Sequence, residues 1–247
     1  MARAARTALI TGSGRNIGRG CALHLARAGF NVVVNGSSDR AACDRVAAEV
    51  RDAGVESMVS IADIGDRKAV EHMARDALAV FGRVDVLVNN AAIRPAAGFL
   101  EMTDADLDRV MAVNAYSAIW LARAFLPGMA AAGWGRIVNF TGMMAQQGKG
   151  GRPHVSMSKH AVWGLTKALS REFGPKGVTT NIISPGTFPG EGVNLAHQGR
   201  LEALLADTPV GRLGEADDIA ALVALLCSDQ GGFINGQLLQ VNGGVVN

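Results

Sequence analysis

The chain has 247 residues, a formal net charge of +2, and a hydrophobic content of 49% with only 5% aromatics. This length fits one large α/β domain better than two small ones, so we take residues 1–247 as a single domain. The small charge, without a run of lysine and arginine, argues against nucleic acid as a partner.

Short apolar runs alternate with amphipathic stretches along the whole chain. The runs indicate strands that are apolar on both faces, and the stretches between them follow the 3.6-residue period of a helix. This alternation predicts a Rossmann-type, doubly wound α/β fold, a seven-stranded parallel sheet with helices on both faces. The predicted strands are 7–11, 31–35, 57–62, 84–89, 137–140, 178–184 and 238–241, and the predicted helices are one ending at residue 28, 40–53, 68–81, 104–129 and 155–173.

Neither a cleavable leader nor a membrane partner is expected. Thr7 begins a strand that runs directly into a glycine turn, which leaves no room for an apolar leader. The apolar stretch 219–227 is far short of a membrane span. Cys21, Cys43 and Cys227 lie far apart in no metal-ligand spacing, which predicts small buried residues, no metal and a reducing cytoplasm.

A glycine-rich turn follows the first strand and opens the first helix. Glycine permits a tight turn there and lets backbone N–H groups approach a pyrophosphate. The strand–turn–helix context favours dinucleotide binding over an ordinary connection. The turn reads Thr11-Gly12-Ser13-Gly14-Arg15-Asn16-Ile17-Gly18.

With several later motifs, this turn resembles the short-chain dehydrogenase/reductase family, whose turn reads Thr-Gly-x-x-x-Gly-x-Gly. Asn16 replaces the middle glycine, and asparagine tolerates a left-handed conformation. The resemblance covers essentially the whole chain and implies a nicotinamide dinucleotide cofactor. Its further motifs are Asn89-Asn90-Ala91-Ala92, Asn114, Pro185-Gly186 and Asn242-Gly243-Gly244. The residues expected to hold the cofactor are Gly12, Arg15, Asn16, Ile17, Gly18, Ser37, Asp63, Ile64, Asn90, Ala91, Lys159, Pro185 and Gly186.

The residues after the second strand favour NADP(H) over NAD(H). An NAD site usually places an acid there to hold the ribose hydroxyls, but this chain has no acid before Asp39. Arg15 lies where similar NADP-using family members carry an arginine that faces the 2′-phosphate, and Ser37 offers a further hydrogen bond. The alternatives are a solvated Arg15 and a Ser37 that caps a helix. Asp63-Ile64 resembles the family's adenine-contacting pair, with a plain helix cap as its alternative.

The resemblance also implies four catalytic side chains: a tyrosine acid/base, a lysine that lowers its pKa, a serine that holds the carbonyl and an asparagine that keeps a water relay. Asn114 and Lys159 are present. Alignment of residues 135–139 with the matching family strand puts Gly142 at the serine position and Val155 at the tyrosine position. Val155 is four residues before Lys159, on the same face of a helix, and its isopropyl group transfers no proton.

His154 is the candidate to replace the missing acid, because an imidazole titrates near neutral pH. It stands about 100° around the helix from Val155, and the alternative is a polar residue near the helix start. Asn114, Lys159 and His154 are thus the candidate catalytic residues. The stretch 188–199 is rich in turn residues and is interpreted as a substrate lid.

The first hypothesis for the function is an NADP(H)-dependent oxidoreductase acting on a small carbonyl compound or a conjugated enone or enoyl substrate. A conjugated substrate spreads the developing charge and takes its proton from water or another residue. One alternative is a non-redox isomerase, dehydratase or cyclase with His154 and Glu191 as proton carriers. Another is a non-catalytic NADP(H)-binding subunit. The resemblance further implies a homo-oligomer, dimer or tetramer, formed through helices 104–129 and 155–173.

Overall fold

The computed structural model describes residues 5–189 and 198–246. The strands are β1 (Thr7–Ile10), β2 (Asn31–Gly36), β3 (Ser57–Ile61), β4 (Val86–Asn89), β5 (Gly135–Phe140), β6 (Val178–Pro185) and β7 (Leu238–Val241). The α-helices are α1 (Asn16–Arg27), α2 (Arg40–Asp52), α3 (Arg67–Phe81), α4 (Asp104–Met111), α5 (Ser117–Ala131), α6 (Met143–Gln147), α7 (Pro153–Phe173), α8 (Gln198–Ala206) and α9 (Ala216–Cys227).

The strands form one parallel sheet in the order β3-β2-β1-β4-β5-β6-β7. The chain winds outward from β1 to β3, returns to β4 beside β1, and then winds the other way. Ile10 of β1 pairs with Val34 of β2 on one side and with Val88 of β4 on the other. The connections diverge between β1 and β4, and such a switch point leaves a ligand-binding crevice at the carboxyl ends of the strands. The predicted fold class is confirmed.

Successive residues of the central strands enter two separate cores, because side chains alternate across a sheet. Ala8 and Ile10 of β1 pack into the layer that contains residues of α1, α2 and α9. Leu9 packs into the opposite layer, which contains residues of α3 and α5. Burial on both faces explains why the strands are continuous apolar runs.

The predicted helix 104–129 is in fact three elements. A capping box between Thr103 and Asp106 starts α4, a π-helical turn occupies Ala112–Tyr116, and α5 then continues past Pro127. A π turn inserts one residue, so it changes the direction in which the following side chains point. The prediction of one regular helix was therefore wrong at Asn114, a candidate catalytic residue.

Within the described parts of the chain, the run 104–131 is long and apolar enough to cross a membrane by length and composition. Its most apolar window is 56% buried inside the fold. There α5 packs against α3 and α7. This burial is what the core helix of a globular domain shows.

Three helices were not predicted. The short helix α6 follows Gly142 directly and has little room to show a period, and α8 has its polar and apolar residues poorly separated. The helix α9 begins with a capping box between Glu215 and Asp218, and glutamate is not among the usual residues that start a helix. The ends of the other predicted elements differ from the structure by at most two residues where both are defined.

Candidate active site

The glycine turn is held tightly against the end of β4. Gly12 has a φ of 64°, and a Cβ added there would lie 2.9 Å from the Ala91 Cβ. A Cβ at Gly18 would meet the carbonyl oxygen of Gly12. Asn90 Nδ2 donates to the carbonyl oxygens of Thr11 and Gly12 at 2.9 and 3.1 Å. The turn therefore needs its glycines for close backbone packing, as a dinucleotide-binding turn does.

Asn16 takes a left-handed conformation with a φ of 49°, alone among the described non-glycine residues. Asparagine is one of the few side chains that tolerate this region, which accounts for its replacement of the family's glycine. Arg15 lies just before α1, whose first turn carries no acidic side chain. No acidic side chain of that turn competes with an anion for the N–H groups at this helix start, including that of Ile17.

The turn and the end of β2 are joined side by side. The Ser13 N–H donates to the Asn35 carbonyl oxygen at 2.8 Å, and the Asn35 N–H donates to Ser13 Oγ at 3.0 Å. Arg15 and Ser37 each follow two residues later, and both are exposed. Asp39, the first acid after β2, accepts from the Ala42 N–H at 2.9 Å as the cap of α2. The pairing of Ser13 with Asn35 brings the two segments that carry Arg15 and Ser37 together.

Asp63 and Ile64 follow β3. Asp63 accepts a hydrogen bond from Arg109 Nη2 at 2.8 Å and another from the Gly65 N–H at 2.9 Å. Burial acts to raise the pKa of Asp63, but these two bonds outweigh it and lower that pKa. Ile64 is buried in the core. The cap of α3 is Asp66, so Asp63 does not cap that helix.

Asn114 and Lys159 lie on either side of the end of β5. Asn114 Oδ1 accepts from the Ile93 N–H at 2.9 Å, and its Nδ2 donates to the Ile93 carbonyl oxygen and to Ser158 Oγ at 3.0 and 3.1 Å. Lys159 Nζ donates to the Phe140 carbonyl oxygen at 2.8 Å. The π turn and α7 therefore hold the loop after β4 and the end of β5 together.

The ammonium of Lys159 is strongly disfavoured in this site. The residue is 3% exposed. Burial, and then the positive charge of Arg94, lower the pKa of Lys159 to about 7. Among the described residues, no carboxylate forms an ion pair with it. Lys159 can therefore gain or lose a proton near neutral pH.

Val155 lies one turn before Lys159 on α7 and is 7% exposed. Gly142 follows β5 with an extended φ of 173°, and a Cβ added there would meet no atom of the described residues within 4 Å. The neighbouring Thr141 is buried. A serine thus fits at Gly142 without strain.

His154 is 1% exposed, and neither ring nitrogen has a hydrogen-bond partner among the described residues. It lies one turn before Ser158, so it shares the helix face that meets Asn114 and not the face of Val155 and Lys159. The pKa of Asp106 on α4 is lowered by hydrogen bonds from Thr103 and, more weakly, by the charge of His154. His154 as a proton carrier stays a prediction.

Pro185 ends β6, and Gly186 packs closely on the residue after β7. A Cβ at Gly186 would lie 2.6 Å from the Asn242 Cα. Next to this turn is a cavity of about 450 Å³. Of the predicted lid, residues 190–197, including Glu191, lie outside the described residues, whereas Phe188 packs against the core. The cavity is lined by Met143, Met144, Gln147, Gly148, Lys149, Thr187, Leu204, Asp207, Thr208 and Val245.

Two arginines near Lys159 were not found by the sequence reasoning. Arg94 follows the Asn-Asn-Ala-Ala turn, and Arg152 directly precedes α7. The Ala97 N–H donates to the Gly151 carbonyl oxygen at 2.9 Å, which joins the two loops. For Arg94, its position two residues after a family motif was a signal in the sequence. The approach of Arg94 to Arg152 depends on the tertiary contact between their two loops.

The described residues contain no group of three or more His, Cys, Asp or Glu side chains placed to hold a metal ion. The sheet with its glycine turn at the switch point is a Rossmann-type α/β fold, in which Lys159 bonds to the end of β5 and Asn114 bonds to the loop after β4. Comparisons with known proteins agree. Residues 12–246 match the family model described as enoyl-(acyl carrier protein) reductase.

Several relatives cover nearly the whole chain. The chain is 36% identical over 242 residues to 3-oxoacyl-(acyl-carrier-protein) reductase FabG of Staphylococcus epidermidis, covering 97% of this chain and 98% of the relative. It is 33% identical over 240 residues to the same-named protein of Haemophilus influenzae, with 97% and 98% covered. The chain belongs to the short-chain dehydrogenase/reductase family and is an oxidoreductase of that family.

A solved structure agrees with this assignment. It is described as a short-chain alcohol dehydrogenase from Sinorhizobium meliloti 1021 and superposes with a TM-score of 0.91 at 28% identity. The superposition covers 97% of this chain and 96% of the other. The whole described fold is thus that of the family.

Proposed function

We propose that this protein is an NADP(H)-dependent oxidoreductase with a non-standard active site, in which Gly142 and Val155 replace the family's serine and tyrosine. One observation carries the proposal. Lys159 keeps its bond to the end of β5, while a valine occupies the position one turn before it. The groups that hold and orient ligands are retained, and the usual acid is absent.

The residues present fit a nicotinamide dinucleotide. The tight turn around Gly12 and Gly18 brings backbone N–H groups to the start of α1, where they bind phosphate oxygens. The Asn90 side chain fixes that turn, and Lys159 donates to a ribose hydroxyl. Once bound, the dinucleotide supplies the hydride. Ile17, Ala91, Pro185 and Gly186 complete the proposed contacts.

The missing acid favours a conjugated acceptor. Reduction of a simple ketone needs a proton at the developing alkoxide, and neither Gly142 nor Val155 provides one. In a conjugated enone or enoyl thioester the negative charge is delocalised, and water or Lys159 can deliver the proton. The family description, enoyl reductase, names such a reaction and supports this substrate class. The cavity beside Met143 and Met144 offers an apolar wall to the substrate.

A substrate panel of matched pairs tests this function. We expect NADPH oxidation, followed by absorbance, with cyclohexenone and crotonyl thioester, and rates at least about tenfold lower with cyclohexanone and acetoacetyl thioester. Conversion of a substrate without NADPH oxidation would favour the non-redox alternative. Saturable NADPH binding without any turnover would favour a non-catalytic subunit.

The preference for NADP(H) rests on Arg15 and Ser37. Both are exposed, their segments are joined by the pairing of Ser13 with Asn35, and the first acid after β2, Asp39, is engaged as a helix cap. Arginine suits the 2′-phosphate because its planar guanidinium donates two hydrogen bonds to one anion. Asp63 and Ile64 are proposed to lie at the adenine end.

Replacing Arg15 with alanine is expected to weaken NADPH binding by about 10- to 100-fold, the loss typical of hydrogen bonds to a charged group. NADH binding is expected to stay within about twofold, since NADH has no 2′-phosphate for that contact. Calorimetric titration with each dinucleotide measures both, with exposed Arg51→Ala as the matched control. Equal losses for NADPH and NADH would contradict the assignment.

A homo-oligomer, dimer or tetramer, is proposed from the exposed apolar side chains of α5 and α7. Tyr116, next to the start of α5, is 44% exposed and packs near Trp120, and Met157 of α7 is 48% exposed. Light scattering of the purified protein measures the assembly. A cytoplasmic location is proposed from the free thiols of Cys21, Cys43 and Cys227.

A further inference from the structure

Arg94 and Arg152 lie on two separate loops near the start of α7; the charge of Arg152 acts on Arg94, and the charge of Arg94 acts on Lys159. Arg94 directly follows Ile93, whose backbone is held by Asn114 through bonds of 2.9 and 3.0 Å. Arg152 precedes α7, seven positions before Lys159. The bond from the Ala97 N–H to the Gly151 carbonyl oxygen ties the two loops together. Both arginines are thus held in place by backbone contacts next to the proposed reaction site.

No acidic side chain among the described residues pairs with Arg94 or Arg152. Neither Arg94 nor Arg152 forms a side-chain hydrogen bond or an ion pair in the described ranges 5–189 and 198–246. Arg94 is exposed on the surface. The protein atoms packed around it still remove part of its hydration, which lowers the pKa of Arg94, and the charge of Arg152 lowers that pKa further. The charge of Arg94 in turn acts on Lys159. Arg94 is thus repelled by Arg152 and in turn acts against the charge on Lys159, and a bound anion would offset this repulsion.

We propose that Arg94 and Arg152 bind a carboxylate group of the substrate and hold its reacting end towards Lys159. A guanidinium matches a carboxylate with two parallel hydrogen bonds, so a pair of them fixes both position and orientation. The loop that carries Arg152 also carries Gly148 and Lys149, which line the cavity beside Met143. The substrate class is therefore a small unsaturated acid with an apolar body, and oxo acids serve only as probes of carboxylate binding.

This inference rests on the proposed function for the identity of the reaction site, but binding is measured without turnover. The two arginines could bind either of two anions, a carboxylate of the substrate or the pyrophosphate of the dinucleotide, and the experiment distinguishes them. Calorimetry with crotonate, acetoacetate and 2-oxoglutarate, each against its methyl ester, is done on the protein alone and with NADPH. NADPH binding is measured separately for every variant.

The wild-type protein is expected to bind at least one of these acids at least about tenfold more tightly than its ester. Arg94→Gln and Arg152→Gln are each expected to weaken that binding about tenfold or more and to leave NADPH affinity unchanged. Exposed Arg51→Gln is the control with the same change of charge.

Several results would overturn the carboxylate site. They are equal binding of acids and esters, no binding of any acid to wild-type protein, and unchanged acid binding in both arginine variants. Loss of NADPH affinity in those variants would instead assign the arginines to the dinucleotide's phosphates. Failure of NADPH to bind the wild-type protein would remove the proposed function, while acid binding to the nucleotide-free protein would still decide this inference.

Discussion

Replacing Gly142 with serine and Val155 with tyrosine together is expected to raise NADPH-dependent reduction of an unconjugated ketone by about two to four orders of magnitude, the range of general acid catalysis. A serine fits because a Cβ at Gly142 meets no atom of the described residues within 4 Å. A tyrosine at residue 155 stands one turn before Lys159, whose positive charge lowers the pKa of the phenol. The variant therefore restores the proton donor at the carbonyl oxygen.

The control for this gain keeps the added volume but removes the hydroxyls. Gly142→Ala with Val155→Phe should leave ketone reduction at the wild-type level, because neither side chain transfers a proton. Thermal melting of both double variants checks that the buried position 155 accepts a ring. If the serine–tyrosine variant folds and binds NADPH yet reduces no ketone of a broad panel, the proposed placement of Gly142 and Val155 in the active site is wrong.

Replacing Lys159 with methionine is expected to change how stability depends on pH. The pKa of Lys159 is lowered from its usual 10.5 to about 7, chiefly by burial. Between these values the unfolded chain binds more protons than the native protein, so the stability of the wild-type protein rises with pH. Below about pH 7 both states carry the proton, and the full penalty of the buried charge is present. The methionine variant lacks this dependence.

The stability of Lys159→Met relative to wild type is therefore expected to fall as pH rises from about 7 to 10.5, by at most about 5 kcal/mol. Part of the gain at low pH is offset because the Phe140 carbonyl oxygen loses its donor. Urea unfolding of the unliganded proteins at several pH values measures the difference. Lys68→Met changes an exposed lysine and is the control. A stability difference that does not vary with pH would contradict the lowered pKa.

The sheet was predictable because its strands are buried on both faces and so appear as uninterrupted apolar runs. The π turn at 112–116 was not predictable from the sequence, because a shift of one hydrogen bond leaves the period of the apolar residues almost unchanged. Its position matters, because it directs Asn114 towards Ile93 and Ser158.

The candidate site was predictable where local spacing decides geometry. Val155 and Lys159 share a helix face because they are four residues apart, and Asn16 takes the left-handed conformation expected for its position. The approach of Arg94 to Arg152 was not predictable, since 58 residues separate them and two loops must meet. The lowered pKa of Lys159 was not predictable either, because it depends on burial created by the whole fold.

The most direct test of the central claim follows the hydride itself. NADPH with deuterium at the transferable position of its nicotinamide is incubated with the protein and the conjugated acceptor that gives the highest rate. We expect deuterium on carbon in the product, in an amount equal to the NADPH oxidised, as determined by mass spectrometry. Product that forms without deuterium, or while NADPH stays reduced, would contradict an oxidoreductase function for this site.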